Sequence, residues 1–243
     1  TIKNIKNAAE IKERMGVRSD SICVLYAPTW RGKVGAVAPD IASFVGAVQE
    51  LARRDVEVLV RIHHFVEQAL QNLELPVNVT IVPASIDTNE LLAATDVLVT
   101  DYSSILFDYV PLERPIVKFA FDYESYLQER GLYFDLDEVP GSSCKTLPEL
   151  GVELDHIISS GFQVGVPQEE SPLADLWSFE DGSSGARAVE ILMQPLSQQD
   201  SPGRAGHLLS IGGLYPNGIT RSFENLLKNL GRSGERVQVL VPH

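Results

Sequence analysis

The stretch DVLVTDYSSILFDYVPLERPIV, residues 96–117, contains the pattern that decides the fold. Its first apolar run ends at Thr100, and the polar cluster Asp101-Tyr102-Ser103-Ser104 follows directly. A helix-like apolar run begins at once, and the β-branched run PIVKFAF follows at 115–121. This order of strand, polar cluster, helix and strand predicts two parallel strands joined by a helical crossover.

The same alternation continues on both sides of this stretch. Because helical crossovers join parallel strands, the whole pattern predicts an α/β fold with a doubly wound parallel sheet. The region 122–194 is predicted to be mainly helical, with candidates in DYESYLQER, LPELGVELDHIISSG and DGSSGARAVEILM. The other predicted elements are helices at 1–15, 40–55, about 65–73 and 87–96, and strands at 21–28, 56–64 and 79–85.

The composition is that of a soluble globular protein. The chain has 243 residues, of which 44% are hydrophobic and 22% charged, and no apolar run is long enough to span a membrane. The formal net charge of −13 disfavours binding to nucleic acid or anionic lipid. The chain shows no signal-peptide pattern, so a cytoplasmic location is expected. The two cysteines, Cys23 and Cys144, lack metal-type spacing and are predicted to be reduced structural thiols.

Three regions are predicted along the chain. Residues 1–195 form the main domain, residues 196–205 form a linker rich in Gln, Ser, Pro and Gly, and residues 206–243 read strand, Gly-rich loop, helix and strand. The last region is either the start of a second domain or an extra element that packs on the first. The chain begins at Thr1 and ends just after the apolar run VQVLV, so it is expected to be a fragment of a longer polypeptide.

Cationic and hydroxyl side chains follow the predicted strands. Thr29 and Arg31 follow the first strand, Arg61 and His63 end the second, and the TDYSS cluster ends the fourth. Ligands of open parallel sheets bind beyond the carboxyl ends of the strands. These groups therefore predict one edge that suits a phosphate or a pyrophosphate.

Each of these candidates has a purely structural alternative. Ser103 and Ser104 can hold an anion together with the free N–H groups of a helix start, or Asp101 or Ser103 can simply cap that helix. Arg61 and His63 share one face of a strand, where they bind an anion or remain solvated. Glu90 belongs to a capping box begun by an N-cap aspartate, or grips ribose hydroxyls.

Metal motifs are missing from the sequence. It contains no HExxH, no EF-hand loop and no DxD pair between the strands. No cofactor is therefore expected, and assistance by Mg²⁺ stays an open alternative.

The segments VLYAPTWRG, VRIHH, DTNELLAATDVLVTDYSSILFDYVPLERPIV and FEDGSSGARAVEIL resemble the C-terminal half of the CDP-glycerol glycerophosphotransferases, the polymerases and primases of teichoic acid synthesis. The resemblance covers about residues 10–194, and it is the combination of APTWR, RxH and TDYSS in this order that is specific. Residues 206–243 resemble, over a shorter and less specific stretch, the start of a second glycosyltransferase, and the alternative is an extra element that packs on the first domain. The segment RIHHF departs from the family pattern at His64, where the family usually has an aromatic residue.

The resemblance implies a GT-B architecture, in which this half holds CDP-glycerol. The enzyme transfers glycerol phosphate to a hydroxyl of a lipid-linked acceptor and releases CMP, and the family's deprotonating base is expected in an N-terminal domain. Within this chain, His63 is the candidate catalytic residue. The resemblance implies that the donor contacts come from Arg31, Arg61, Thr29, Thr100, Ser103, Ser104 and Glu90.

Two other functions stay open from the sequence. A glycosyltransferase of the same architecture that uses a sugar nucleotide is disfavoured, because TDYSS replaces the usual glutamate-containing donor motif. A nucleotide-binding module without catalysis is the other. The expected partners are CDP-glycerol or a related CDP-alditol such as CDP-ribitol, and a lipid-linked polyol phosphate acceptor, without nucleic acid. Contact with the inner face of the cell membrane is expected through regions outside this chain.

Overall fold

A computed structural model describes residues 7–29, 41–62, 74–132, 135–162, 174, 183–193, 208–210 and 238–240. The chain forms two compact units, Thr1–Ser178 and Phe179–His243.

The first unit contains a sheet of six parallel strands, in the order β3-β2-β1-β4-β5-β6. The predicted doubly wound parallel sheet is therefore confirmed. The strands are β1 (Cys23–Tyr26), β2 (Glu57–Val60), β3 (Val79–Ile81), β4 (Val97–Thr100), β5 (Ile116–Phe119) and β6 (Ser142–Cys144).

Helices cover both faces of this sheet, because its central strands are apolar on both sides. One face packs against α1, α3 and α4 through residues such as Ile11, Leu91 and Leu106, and the other packs against α2 and α6 through Phe44 and Leu150. The described helices of the first unit are α1 (Ala8–Arg14), α2 (Ile41–Leu51), α3 (Thr88–Ala93), α4 (Ile105–Tyr109), α5 (Tyr123–Arg130) and α6 (Leu147–Ser159), with 3₁₀ turns at Val110–Leu112 and Leu136–Glu138.

The strand order reverses between β1 and β4. Successive strands run outward from β1 through β2 to β3, and then from β4 through β5 to β6 in the opposite direction. At such a point the crossover helices diverge to opposite faces and leave a crevice beyond the carboxyl ends of the two strands. The loops that follow β1 and β4 therefore border the position where a ligand is expected.

The helix after β4 differs from its prediction. It begins at Ile105, rather than at Ser103, and changes to a 3₁₀ turn at Val110. Pro111 lies in that turn. Proline has no backbone N–H group, so it is tolerated there but not in the interior of an α-helix. The loop that carries the two serines is consequently longer than the sequence pattern indicates.

Strand β6 was missed by the sequence analysis, which predicted residues 122–194 to be mainly helical. Its sequence Ser142-Ser143-Cys144 has no β-branched residue, but it pairs with β5 at the edge of the sheet. Gly141 precedes it with a φ of +108°, and a Cβ atom there would lie 2.6 Å from the carbonyl oxygen of Ile116. Only glycine allows the chain to approach β5 this closely.

The second unit contains α7 (Ser184–Met193), β7 (Leu208–Ser210) and β8 (Gln238–Leu240). Strands β7 and β8 are parallel neighbours, with Leu208 opposite Gln238. Two parallel strands that are neighbours need a crossover connection, and this agrees with the strand–helix–strand order predicted for 206–243. The predicted linker at 196–205 and the predicted loop and helix between the strands lie outside the described residues, so the predicted division of the chain stays a prediction.

Both cysteines are buried and free, as predicted. Burial raises the pKa of Cys23 to about 11 and that of Cys144 to about 12, so both thiols stay protonated and unreactive near neutral pH. Within the described parts of the chain, no helix is both long enough and apolar enough to cross a lipid bilayer.

Candidate functional site

Asp101 ties together the two loops at the reversal of strand order. Its side chain lies directly after β4, and the residue is only 2% exposed. Its Oδ1 atom accepts hydrogen bonds from the backbone N–H of Thr29 at 2.8 Å and from the Thr29 hydroxyl at 2.5 Å, and its Oδ2 atom lies 3.0 Å from the same N–H. The loop after β1 is thus held against the loop after β4 by charge-assisted hydrogen bonds.

The residues on either side of Asp101 take part in this junction. The backbone N–H of Tyr102 donates to Asp101 Oδ1 at 2.6 Å, and the Thr100 hydroxyl donates to the carbonyl oxygen of Ala27 at 2.8 Å. Thr100 is completely buried, and its hydroxyl hydrogen is already used in that bond. In this structure Thr100 supports the ends of β1 and β4, and its predicted contact with a ligand stays a prediction.

Ser103 and Ser104 carry the hydroxyl groups nearest to the surface of this loop. Ser103 is half-buried and Ser104 is exposed. Ser103 Oγ lies 3.5 Å from the N–H of Ile105, which is the long limit of a hydrogen bond, and the side chain of the N-cap residue Ser104 makes no capping bond. One long contact of Ser103 is thus the described evidence for the capping alternative, and the described bonds of Asp101 are accepted from Thr29 and from the N–H of Tyr102.

Arg61 lies at the carboxyl end of β2, as predicted, and its backbone N–H donates to the carbonyl oxygen of Tyr26 at 3.0 Å. Its guanidinium group donates to the carbonyl oxygens of Pro83 at 2.8 Å and Ile86 at 3.2 Å. Arg61 thus holds the loop between β3 and α3. The predicted contact of Arg61 with a phosphate stays a prediction.

Glu90 lies in the first turn of α3 and pairs with Arg14 of α1 at 3.1 Å. Asp87 is the N-cap residue of α3, as predicted, and accepts a hydrogen bond from the N–H of Asn89 at 2.8 Å. The structure does not bring Glu90 into the junction of Thr29 with Asp101. Its predicted approach to a nucleotide stays a prediction.

The other candidates fall outside the described residues. These are Arg31 and His63, together with His64, whose departure from the family pattern was noted above. Among the residues that the structure does describe, no group of three or more His, Cys, Asp and Glu side chains is placed to hold a metal ion.

Two residues of this junction were given too small a role by the sequence analysis. Asp101 was considered only as a helix cap, and Tyr102 was assigned no function. The role of Asp101 could have been predicted from its position, because its carboxylate directly follows a buried strand at the reversal of strand order. Tyr102 contacts residues of α5, and nothing in its local sequence indicates that contact.

The chain is similar to proteins of teichoic acid synthesis. Residues 2–194 match the family described as CDP-Glycerol:Poly(glycerophosphate) glycerophosphotransferase. The chain is 29% identical over 198 residues to the teichoic acid poly(glycerol phosphate) polymerase of Bacillus subtilis strain 168, covering 79% of this chain and 26% of that protein. It is 34% identical over 204 residues to the teichoic acid poly(ribitol-phosphate) polymerase of Bacillus spizizenii, covering 80% of this chain and 32% of that protein.

A solved structure shares the fold. A variant of the wall teichoic acid polymerase TagF, soaked with CDPG, matches with a TM-score of 0.57 and 28% identity, over 78% of this chain and 45% of that chain. The chain thus spans about a quarter to a half of the length of these relatives. Because the family match covers most of the sequence, and the expected resemblance is thereby confirmed, the chain belongs to the CDP-glycerol:poly(glycerophosphate) glycerophosphotransferase family.

Proposed function

We propose that this chain supplies the donor site of an enzyme that transfers glycerol phosphate from CDP-glycerol to a hydroxyl group of a teichoic-acid-type acceptor. The acceptor oxygen attacks the phosphorus that carries the glycerol, and the bond from that phosphorus to the bridging oxygen breaks. The bridging oxygen leaves with CMP, and the hydroxyl proton passes to a base. The observation that carries the proposal is the Asp101–Thr29 junction, which joins two loops at the reversal of strand order in a chain of this family.

The relatives support the choice of donor and acceptor. Those described above are polymerases of glycerol phosphate and of ribitol phosphate, and the similar TagF structure was soaked with CDPG. These names favour a CDP-alditol donor, with CDP-glycerol as the first candidate and CDP-ribitol as the second. The acceptor is proposed to be a polyol phosphate linked to a lipid.

Transfer of a phosphoryl group depends mainly on positioning and on neutralisation of charge. In the proposed site Ser103 and Ser104 donate hydrogen bonds to the diphosphate oxygens. The N–H and the hydroxyl of Thr29 already donate to Asp101, so the predicted contact of Thr29 with the donor stays a prediction. Arg31, Arg61 and His63 supply positive charge, and His63 is the candidate catalytic residue of this chain. Thr100 and Asp101 hold the loops in place. Following the family resemblance, the base that takes the acceptor proton belongs to an N-terminal domain of the whole enzyme.

Membrane contact is proposed to lie in parts of the polypeptide outside this chain, with the whole enzyme at the inner face of the cell membrane. The described part of α1 supports this proposal. Lys12 is 7% exposed and pairs with Asp96 at 3.1 Å, and Arg14 pairs with Glu90. These two positive charges in the described part of α1 are therefore paired within the fold, which disfavours their use in attracting anionic lipid.

The donor site is tested by calorimetric titration of the 243-residue chain with CDP-glycerol, CDP-ribitol, CDP, UDP-glucose and UDP. We expect the CDP compounds to bind more tightly than the UDP compounds. Ser103→Ala is expected to weaken CDP-glycerol binding about 10- to 20-fold, which is the loss of one hydrogen bond to a charged group at the lower end of its usual range. The control is Ser159→Ala in α6, whose hydroxyl bonds only within its own helix turn to His156 among the contacts described.

Several results would contradict the proposal. Preference for the UDP compounds would favour the glycosyltransferase alternative, and equal affinity of wild type and Ser103→Ala would remove Ser103 from the site. The chain is also expected to bind the donor without forming polymer, because the proposed base lies elsewhere. Robust polymerisation of CDP-glycerol by these 243 residues alone would contradict that part of the proposal.

A further inference from the structure

We propose that Tyr102, Asp122 and Tyr126 act as positioning residues that fix Ser103 and Ser104 for donor binding by attaching their loop to α5. These three residues are called the tyrosine clamp below. The inference rests on the proposed function, because it assumes that the two serines bind the donor.

Tyr102 makes contacts through both its aromatic ring and its hydroxyl group. Its ring stacks on that of Tyr126, with the ring centroids 3.8 Å apart and the planes 18° from parallel. Its hydroxyl group donates a hydrogen bond to Asp122 Oδ1 at 3.1 Å. Tyr123 adds a tilted ring contact with a centroid distance of 6.5 Å. A residue that directly precedes Ser103 is thus fixed to the helix after β5, both by stacking and by a hydrogen bond to a carboxylate.

Helix α5 has little other anchorage in the hydrophobic core. None of its eight residues is buried, and its one large aliphatic side chain, Leu127, is 41% exposed. Asp122 is the N-cap residue of α5, but its side chain makes no capping bond and contacts Tyr102 instead. Arg130 lies over the outer ring, 5.7 Å from the centroid of Tyr126. Tyr126 and the N-cap residue Asp122 thus contact the loop after β4. Tyr123 and Glu124 also lie next to Lys145, whose Nζ atom is 5.1 Å from the Tyr123 ring centroid and 4.0 Å from a Glu124 carboxylate oxygen.

The serine loop needs such an external attachment. Among the described contacts, the Ser103 side chain makes one long contact to the N–H of Ile105, and the Ser104 side chain makes no capping bond. Their carbonyl oxygens accept from the N–H groups of Leu106 at 3.2 Å and Phe107 at 3.1 Å, which holds the backbone but not the hydroxyl groups. The two residues before the serines carry the strong contacts: Asp101 to the loop after β1, and Tyr102 to α5. Loss of the Tyr102 contacts is expected to let the serines move by a fraction of an ångström, which is enough to weaken hydrogen bonds that depend on geometry.

The test is calorimetric titration of the 243-residue chain with CDP-glycerol, with four single variants. Tyr126→Ala removes the stacked ring, and Tyr102→Phe removes only the hydroxyl group that donates to Asp122. Both are expected to weaken donor binding about 3- to 10-fold. Tyr126→Phe keeps the stacked ring, and Leu127→Ala is a matched change on the same helix outside the clamp. Both are expected to stay within twofold of wild type.

A double-mutant cycle distinguishes positioning from direct contact. If the clamp acts through Ser103, Tyr126→Ala should weaken binding less than twofold in a chain that already carries Ser103→Ala. An undiminished effect in that background would overturn the inference, because Tyr126 would then act independently of the serine. Wild-type affinity of both Tyr126→Ala and Tyr102→Phe would overturn it as well. Thermal unfolding identifies a variant that fails to fold, and Tyr102→Phe alone then decides.

The two proposals fail in different ways. If wild type does not bind CDP-glycerol, the proposed function fails and the inference falls with it. If wild type binds and Ser103→Ala binds weakly, while the clamp variants match wild type, only the inference fails.

Discussion

An aspartate lies at each end of β4, half-buried Asp96 at the amino end and buried Asp101 at the carboxyl end, and the two residues have different roles. Asp96 precedes the strand, and its Oδ2 atom accepts from the Lys12 ammonium group at 3.1 Å and from the N–H of Cys23 at 2.8 Å. Asp101 follows the strand and accepts from Thr29 and from the N–H of Tyr102. Both carboxylates connect β4 to β1, one at the amino end and one at the carboxyl end.

The difference lies in what each carboxylate holds. Asp96 joins the start of β1 to a lysine of α1, and that lysine also donates to the carbonyl oxygen of Ser21 at 2.8 Å. Asp101 joins two loops, one of which carries the candidate serines. Asp96 therefore stabilises the fold at the amino end of β4. Asp101 stabilises both the fold and the candidate site at the carboxyl end. The first two predictions separate these two effects, because each measures the free energy of unfolding together with donor affinity.

The largest effect is expected for Asp101→Ala. This change leaves the N–H groups of Thr29 and Tyr102 without their acceptor, and we expect unfolding to become easier by about 3 kcal/mol. CDP-glycerol affinity should fall at least about tenfold, because both loops lose their common anchor. Asp101→Asn should cost less, since the amide oxygen can still accept at the Oδ1 position. Urea unfolding and calorimetry measure both quantities, and a folded Asp101→Ala variant with wild-type donor affinity would contradict the comparison.

A smaller effect, confined to stability, is expected for Lys12→Met at the amino end of β4. The change removes the ion pair with Asp96 and the donor to Ser21, and should lower the free energy of unfolding by about 1 to 2 kcal/mol. Donor affinity should stay within twofold of wild type. Arg18→Met is the control, because it removes one positive charge whose side chain is 71% exposed. Weakened donor binding in folded Lys12→Met would show that the two ends of β4 are not separate in function.

An effect of similar size, visible only as a pH dependence of stability, is expected for Lys118 of β5, which lies opposite Thr100 in the sheet register and is 1% exposed. Its Nζ atom donates to the carbonyl oxygens of Leu136 at 2.7 Å and Val139 at 2.6 Å. Burial lowers the pKa of Lys118 to about 8, against an opposing effect of Asp137 and Asp135.

The folded-state pKa lies below the ordinary lysine value, so between about pH 8 and 10 the unfolded chain binds more protons and stability rises with pH. The cost of burying the ammonium group is fully present below pH 8 and is lost as the pH increases. From pH 7.5 to 9.5, wild type should gain about 1 to 2 kcal/mol relative to Lys118→Met in urea unfolding. A constant difference between the two proteins across this range would contradict the shifted pKa.

Much of the fold was predictable from short segments. The alternation of apolar strands with capped helices predicts the parallel sheet, and the predicted N-cap role of Asp87 is confirmed by the bond that it accepts from the N–H of Asn89. The short edge strand β6 was missed because its Ser-Ser-Cys sequence has no strand-like pattern. It forms because β5 presents a free edge and Gly141 allows a close approach to Ile116.

The candidate site was predictable only in part. Its place at the carboxyl ends of the strands follows from the parallel sheet, and the TDYSS cluster marked one of its loops. The partners of the individual side chains were not predictable. Thr100 was predicted to bind a ligand, and in the structure its hydroxyl donates to Ala27; Glu90 was predicted to approach a nucleotide, and it pairs with Arg14.

The sequence by itself determined the type of the central strands and of the helices between them, the parallel sheet and the family, because these depend on local periodicity and on motifs of a few residues. Only the tertiary structure decided that Asp101 binds Thr29, 72 residues away, and that Tyr102 binds Asp122 on the helix after the next strand. Such contacts depend on which strands become neighbours, and many distant groups compete for one buried carboxylate or hydroxyl. These partners cannot be predicted from local sequence. A carboxylate or hydroxyl group needs a hydrogen-bond partner once it is buried, and it becomes buried only when the chain has folded.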